Sequence, residues 1–539
     1  MKKIIVITVI LAFLAGCAAT PAGRDNVPES DSNLIYLANF DDGSPCGFNG
    51  SGAYTWGIVS GEQFHSPPYS FFVYDRVPSG STASWFMSGH VPKERWVTYS
   101  AWVYLTGNEA APARIQAGIN GGAGNPGGRG VTIAEKMVEP ETWTYLEGDV
   151  FIGKNDVSVR SSVFFADSTA DFYVDDVTVK LKDGNMPLSD IQENLMPLKD
   201  APLFNKRDIM IGSGVGTIVI NDPSGNRQKL VAKHYDSITA ENELKSNFLM
   251  EYGPSVRDLA KHNEAVAVNF NLIKPYYDFA KTNNLKMSAQ AMLWDQLTPE
   301  WLFHVDYDEK KPYAGRELML KRMENFIRDV LDWSQTNYPG MVKMWVIVNE
   351  SIIGNNPPVL RDNRWLKTIG EDYIARAFEY ARKYSREPGM SLVYNDFNLE
   401  AYPNRLQFFM AYVKKHNVDL DAIGFQMHIK MDFPSAGVIK SNLELAKPYD
   451  VYITEMDIAN NNPSRESMDS QRERYFEVFS AILGADVKLR GISSWCLNDG
   501  NSWLINHHRE AQFPLLWTAD NQAKPAYFGV MEAAGANVK

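Results

Sequence analysis

Two short runs about a hundred residues apart constrain the fold of this chain more than anything else in it. Met344-Trp-Val-Ile-Val-Asn349-Glu350 and Tyr452-Ile-Thr-Glu455-Met-Asp457-Ile458 are each β-branched and aromatic, and each carries a carboxylate at its end. A buried strand that delivers an acid to the mouth of a pocket reads this way. Glu350 and Glu455 are 105 positions apart, or three units of 35 residues. A (β/α)8 barrel uses roughly 30 residues per unit, so the spacing fits strands 4 and 7 of one barrel.

A single glutamate after an apolar run is more often a loop residue or half of a surface ion pair. Two at barrel spacing, one preceded by Asn349 and the other followed by Met456 and Asp457, are harder to explain that way. Paired carboxylates at the C-terminal ends of barrel strands are the equipment for cleaving a glycosidic bond. Gly491-Ile-Ser-Ser-Trp495-Cys496 supplies a last strand, and Trp503 follows it. Tryptophan faces stack on sugar rings and are costly to expose without a use.

Further candidate strands lie near 209–213, 237–240, 286–292, 342–348, 391–394, 422–426, 451–454 and 491–495, separated by helical stretches such as 372–382. The expected fold class is therefore α/β, a barrel spanning 204–536. Before it, 34–182 alternates short strands with turns and shows no helical period, as in 69–74, 96–104, 157–165 and 172–179. That pattern reads as an all-β sandwich of jelly-roll type. Some of its tryptophans are expected in the core, foremost Trp102 in Ser100-Ala-Trp-Val-Tyr104. Residues 183–203 read as a linker.

The 539 residues exceed what one core organises. A net charge of −12 argues against a nucleic-acid partner. Three cysteines are too few for a disulfide scaffold, and Cys46 and Cys496 fall in separate domains. Lys2-Lys3, an apolar run over 4–14 and Leu14-Ala-Gly-Cys17 resemble a bacterial lipoprotein signal over 1–17, with Cys17 lipidated. Residues 18–33 then form a flexible tether. The expectation is an exported chain held by its lipid on a bacterial membrane, the outer one by preference, or on the cell surface, with no other membrane contact. Gly122-Ala-Gly-Asn-Pro-Gly127 matches a dinucleotide fingerprint in letters only, because no helix follows it. His507-His508 lack metal-ligand spacing, so neither metal nor cofactor is expected.

The second domain resembles glycoside hydrolase family 10, the retaining endo-β-1,4-xylanases. The resemblance rests on Thr239-Ala-Glu-Asn-Glu-Leu-Lys245, Trp345 to Glu350, Asn395-Asp-Phe-Asn398, Gly424-Phe-Gln426-Met-His428, Thr454-Glu455-Met-Asp457, Trp495, Ser502-Trp503 and Pro514-Leu-Leu. The first domain looks like a carbohydrate-binding module, with Phe172-Tyr-Val-Asp-Asp-Val177 as its signature. The resemblance implies Glu350 as acid/base, Glu455 as nucleophile and xylan or a related β-glycan as the partner. It also implies sugar contacts from Glu241, Asn242, Lys245, Gln290, Trp294, Asn349, Gln426, His428, Trp495 and Trp503. His428 would bond Glu455, and Asn349 would hold the sugar 2-hydroxyl.

The chain departs from the family in strand 3. Gln290 and Asp295 stand where histidines are usual and Leu297 where a glutamine is, while Val346 replaces an aspartate before the acid/base motif. Asp295 would bring a negative charge near the site. A remodelled sugar surface that favours a decorated or unusual xylan is expected, the alternative being ordinary drift with activity on plain xylan retained. Two alternatives remain: a glycan-binding lipoprotein whose barrel is inactive, and a retaining glycosidase acting on another β-glycan.

Overall fold

The computed structural model describes residues 33–41, 43, 45–51, 56–74, 76, 82–86, 95–121, 129–153, 156–182, 192–250 and 263–537. Cys17, the leader and almost all of the tether lie outside the described residues, as do the Gly122–Gly127 match and 183–191 of the expected linker. No helix among the described residues is long and apolar enough to cross a membrane.

Among the described residues of the first domain there are eleven strands: β1 Leu34–Ala38, β2 Asn49–Ser51, β3 Trp56–Ser60, β4 Ser70–Tyr74, β5 Thr82–Phe86, β6 Arg95–Leu105, β7 Ala111–Gly121, β8 Arg129–Val138, β9 Thr144–Ile152, β10 Asp156–Phe165 and β11 Phe172–Leu181. They make two antiparallel sheets. One runs β3-β4-β11-β6-β9 with β1 also on β11, and the other runs β2-β5-β10-β7-β8. Alternation decides which side chains meet between them: Val97, Tyr99, Ala101, Val103 and Leu105 of β6 are buried in the core.

Trp102 therefore faces outward, contrary to expectation. It is half-buried, with the His65 ring stacked on it at 3.8 Å. The core takes the small side chains of this stretch, Ala101 and Val103, because bulk arrives from elsewhere. Trp85 fills the space, with Phe48 stacked on it at 4.6 Å and Tyr36 at 6.0 Å.

The second domain is a closed parallel barrel. Its eight strands are β12 Met210–Val215, β13 Ser237–Ala240, β14 Lys286–Ala289, β15 Val342–Asn349, β18 Ser391–Asp396, β19 Ala422–Phe425, β21 Asp450–Ala459 and β22 Lys488–Ser494. Each pairs with the next, and β22 returns to β12 through Met210↔Gly491 and its neighbours. Every expected strand segment is a strand, although β14 stops at Ala289 and β21 runs on to Ala459. Short extras decorate the rim: β16 Ile352–Ile353 and β17 Val359–Leu360 form a hairpin, and β20 His428–Lys430 lies beside β21.

Helices cover the barrel with a single apolar stripe each. The helix Tyr373–Tyr384 buries Ile374, Ala377, Phe378 and Ala381, one face of a 3.6-residue period. The turn at Gly47 of the sandwich meets the barrel at Thr217. Gly47 has φ +83°, and a Cβ there would lie 2.6 Å from Thr217 Cγ2. Both the backbone and the close approach require glycine.

Candidate active site

The carboxylates sit at the C-terminal ends of their strands. β15 ends at Asn349, and Glu350 follows with φ 54°, a left-handed backbone that a residue other than glycine rarely adopts. Glu455 lies within β21 and is buried.

A run of side-chain amides joins the two. Gln426 Nε2 donates to Glu350 Oε1 at 3.0 Å and reaches Asn349 Oδ1 at 3.4 Å. Asn395 Nδ2 donates to the same Asn349 oxygen at 2.9 Å and to Glu455 Oε1 at 2.8 Å. Thr454 Oγ1 donates to Asn395 Oδ1 at 2.6 Å, which fixes the orientation of that amide. Both donors converge on the Asn349 carbonyl oxygen.

The two acids differ in surroundings. Burial raises the Glu350 pKa above the usual carboxylate range, the Gln426 bond opposes this, and the charge of Glu455 adds to it. Glu455 faces donors on both oxygens, Asn395 on one and His428 Nε2 at 3.1 Å on the other. His428 Nδ1 lies 2.8 Å from Asp457 Oδ2, which also accepts from Trp503 Nε1 at 2.8 Å. Burial alone would lower the His428 pKa, but Asp457 and Glu455 outweigh it and raise it to about 10. The imidazolium donates from both nitrogens and holds a positive charge against Glu455.

On the strand-2 side, Lys245 is buried, and its ammonium donates to Asn242 Oδ1 at 3.0 Å. That ammonium lies 4.9 Å from the centre of the Trp294 ring and 5.6 Å from that of Trp495. Glu241 is half-buried, with a pKa pushed up to about 7 by burial first and then by Glu243. Trp503 packs on the His428 ring at 4.8 Å. Gln290 is 3 % exposed, and its Oε1 has no hydrogen-bond partner among the described residues.

Asp295 does not bring a free charge to the site. Its Oδ1 accepts from Arg364 Nε at 2.9 Å and from the Arg364 backbone N–H at 3.0 Å. Arg364 also reaches Glu300 Oε2 at 2.9 Å, so one guanidinium ties both carboxylates of the strand-3 turn. Sequence reasoning also passed over residues that touch the carboxylates. Asn395 and Asp457 lay inside quoted motifs but carried no assigned role. Gln296, whose Nε2 lies 3.3 Å from Glu350 Oε2, sits in a single 3-10 turn, and Arg361, whose Nε donates to the Glu350 carbonyl at 2.9 Å, follows a short hairpin, neither with a sequence pattern.

A parallel barrel with two facing glutamates, Glu455 with a donor at each oxygen and Glu350 buried beside Gln426, Gln296 and Arg361, defines the class of barrel proteins that carry a paired-carboxylate site. Residues 202–533 match the family described as glycosyl hydrolase family 10, and residues 32–169 match a carbohydrate binding domain. The chain belongs to glycosyl hydrolase family 10.

Endo-1,4-beta-xylanase B of Butyrivibrio fibrisolvens is 35% identical over 333 residues, which cover 60% of this chain and 51% of that protein. Endo-1,4-beta-xylanase A of Thermoanaerobacterium saccharolyticum is 28% identical over 522 residues, 94% of this chain and 42% of that protein. The chain thus spans about half the length of these relatives. Among solved structures, the intracellular xylanase TsXylA of Thermoanaerobacterium saccharolyticum is 29% identical with a TM-score of 0.55, covering 63% of this chain and 99% of that one. Two of its glutamate-to-alanine variants, at positions 105 apart, are seen with xylotriose and with xylotetraose. The joined carbohydrate-binding and family 10 modules of a Clostridium thermocellum endo-1,4-beta-D-xylanase, with xylohexaose, share the fold. Their TM-score is 0.58 at 24% identity, over 93% of this chain and 97% of that one.

Proposed function

We propose that this chain is a retaining endo-β-1,4-xylanase. The observation that carries the reading is the amide run from Glu350 through Gln426, Asn349 and Asn395 to Glu455, with His428 behind Glu455. Family membership, the xylanase names of the relatives and the matching 105-residue spacing in TsXylA support it.

The chemistry follows from the two environments. Glu455, with Asn395 at one oxygen and His428 at the other, attacks the anomeric carbon. Glu350, kept protonated by burial, gives its proton to the departing glycosidic oxygen. The bond to the leaving sugar breaks as the ester to Glu455 forms. Glu350, now a carboxylate, takes a proton from water, the water oxygen attacks the same carbon, and Glu455 is released. The Asn349 NH2 donates to the sugar 2-hydroxyl, and Glu241, Asn242, Lys245, Trp294 and Trp495 hold the neighbouring sugar. The sandwich binds xylan and keeps the barrel near the polymer, which raises local concentration without new contacts in the site.

Strand 3 sets the preference among xylans. Gln290 offers an unpartnered carbonyl, and Leu297 offers no polar group. A site with fewer fixed donors there favours a decorated xylan over a linear one. We also propose export and lipid anchoring through Cys17, tested by fractionating cells that carry Cys17→Ala. Release of that variant from the membrane is expected, and an unchanged distribution would refute the anchor.

The test of activity is NMR of the first products from linear xylan, arabinoxylan and glucuronoxylan, with Glu455→Ala as control. Short products appearing first as β-anomers, and absent from the control, support retention. α-Anomers would refute it, and bound but uncut xylan would leave a binding protein.

A further inference from the structure

Arg361 grips the same residue twice. It follows the β16–β17 hairpin, and its backbone N–H donates to the Ser351 carbonyl at 2.8 Å, which returns the chain to the end of β15. Its Nε donates to the Glu350 carbonyl at 2.9 Å, while Nη2 lies 3.9 Å from Glu350 Oε2. The guanidinium packs 6.0 Å from the centre of the Phe397 ring. Arg361 and Glu350 side chains are only 20% and 12% exposed, so solvent screens the pair weakly. The left-handed backbone at Glu350 is thus tied to the cation that faces its carboxyl.

We propose that Arg361 is the positioning residue for the acid/base of this site, aiming the Glu350 carboxyl and supplying the counter-charge that its basic form needs. The proposal rests on Glu350 as acid/base. In the first half of the reaction Glu350 loses its proton to the leaving oxygen, and it must then remain a carboxylate long enough to accept one from water. Burial works against that carboxylate. During this interval the Glu455 charge is consumed in the ester, so a nearby cation is the remaining support on the leaving-group side.

The other charged groups around Glu350 are already engaged. Glu455 from β21 faces His428, which Asp457 also holds. Asp396 from β18 is in a buried pair with Arg405 at 2.8 Å. Lys245, beyond β13, donates to Asn242 and lies over two tryptophans. Gln426 and Gln296 bring donors but no charge. Among the described residues, Arg361 is the cation within 4 Å of the Glu350 carboxyl, at 3.9 Å. Its charge offsets part of the upward push that burial and Glu455 exert on the acid.

The experiment is the pH dependence of kcat/KM on an unactivated xylo-oligosaccharide, for the full chain and for Arg361→Met, Arg361→Lys and Glu350→Ala. Methionine keeps the stem and removes charge and donors. It should move the alkaline limb upward by roughly one pH unit, the lower end of what an opposite charge within about 4–6 Å produces. It should also slow release of the sugar from the glycosyl-enzyme, measured on an aryl β-xylobioside with a good leaving group. Lysine keeps the charge and should return the limb towards its original position, while kcat stays reduced because the two-point grip is lost. A purely structural role would lower kcat and Tm in both variants and leave the limb in place, which would overturn the proposal. If the limb vanishes in Glu350→Ala yet stays put in Arg361→Met, the Arg361 proposal alone fails. If it survives in Glu350→Ala, the assignment of Glu350 fails and Arg361 falls with it.

Discussion

Asn395 holds Glu455 through one amide nitrogen, at 2.8 Å, and binds Asn349 with that same nitrogen at 2.9 Å. One side chain thereby sets Glu455, the proposed nucleophile, and Asn349, proposed to meet the sugar 2-hydroxyl, in a common frame. Asn395→Ala removes both bonds and leaves the Thr454 hydroxyl only the longer bond to the Phe425 carbonyl at 3.2 Å. A hydrogen bond to a charged group contributes about 1.5–3 kcal/mol, so kcat/KM on xylo-oligosaccharides should fall roughly 10- to 100-fold. Asn395→Asp should be worse, since a second carboxylate beside Glu455 favours protonation of one of them. An alanine variant within twofold of the original would remove Asn395 from the site.

Gly424 of β19 allows Asn395 to sit where it does. A Cβ on Gly424 would lie 2.5 Å from Asn395 Oδ1 and 3.0 Å from Thr454 Cγ2. Gly424→Ala should therefore displace the amide and lower kcat, although the added methyl touches no substrate. The rest of the barrel has no reason to move, so Tm should drop by only a few degrees for about 1–2 kcal/mol of overpacking. Unchanged kcat with a lowered Tm would show that Asn395 relaxes without consequence.

The charge on His428 makes a pH-dependent contribution to stability with a definite sign. Its folded pKa of about 10 lies above the ordinary value of 6.5. The contribution is therefore complete below about pH 6.5 and is lost as pH rises through about 10. Urea unfolding of the full chain against His428→Gln should show the widest gap at pH 6 and a narrowing gap up to pH 10. A gap that is flat across this range would mean that His428 is neutral in the folded protein.

The fold was legible because barrel strands are short apolar runs, and buried parallel strands require that composition. Glu350 and Glu455 were legible for the same reason, since each ends or interrupts such a run. Trp102 was misplaced because period-2 alternation identifies two faces without naming the inner one, and residue size alone pointed the wrong way. Asp295 looked like a free charge because its partner Arg364 lies 69 residues away on another unit. Arg361 and Gln296 could not be found from sequence, because loop geometry rather than any spacing rule brings them to Glu350. Asn395 stood in a quoted motif, yet its double contact depends on strand register across β15, β18 and β21.

Arg364 offers the last test, because it braces the turn that carries Trp294 and Gln296. Its guanidinium reaches Asp295 and Glu300 at 2.9 Å each, with its own backbone N–H also on Asp295. The Arg364 and Asp295 side chains are 17% and 21% exposed, between the buried and surface extremes. Arg364→Met should cost about 1–3 kcal/mol, between the values for exposed and buried pairs. It would leave Asp295 and Glu300 without their cation, and the turn between Trp294 and Glu300 would loosen. KM should then rise, since Trp294 sits under Lys245, and kcat should fall less, since Gln296 is only one of two amides on Glu350. Arg364→Lys should rescue little, because one ammonium cannot span two carboxylates as a planar fork does. A raised KM in Arg364→Met with full recovery in Arg364→Lys would mean that charge alone, and not the fork, holds the turn.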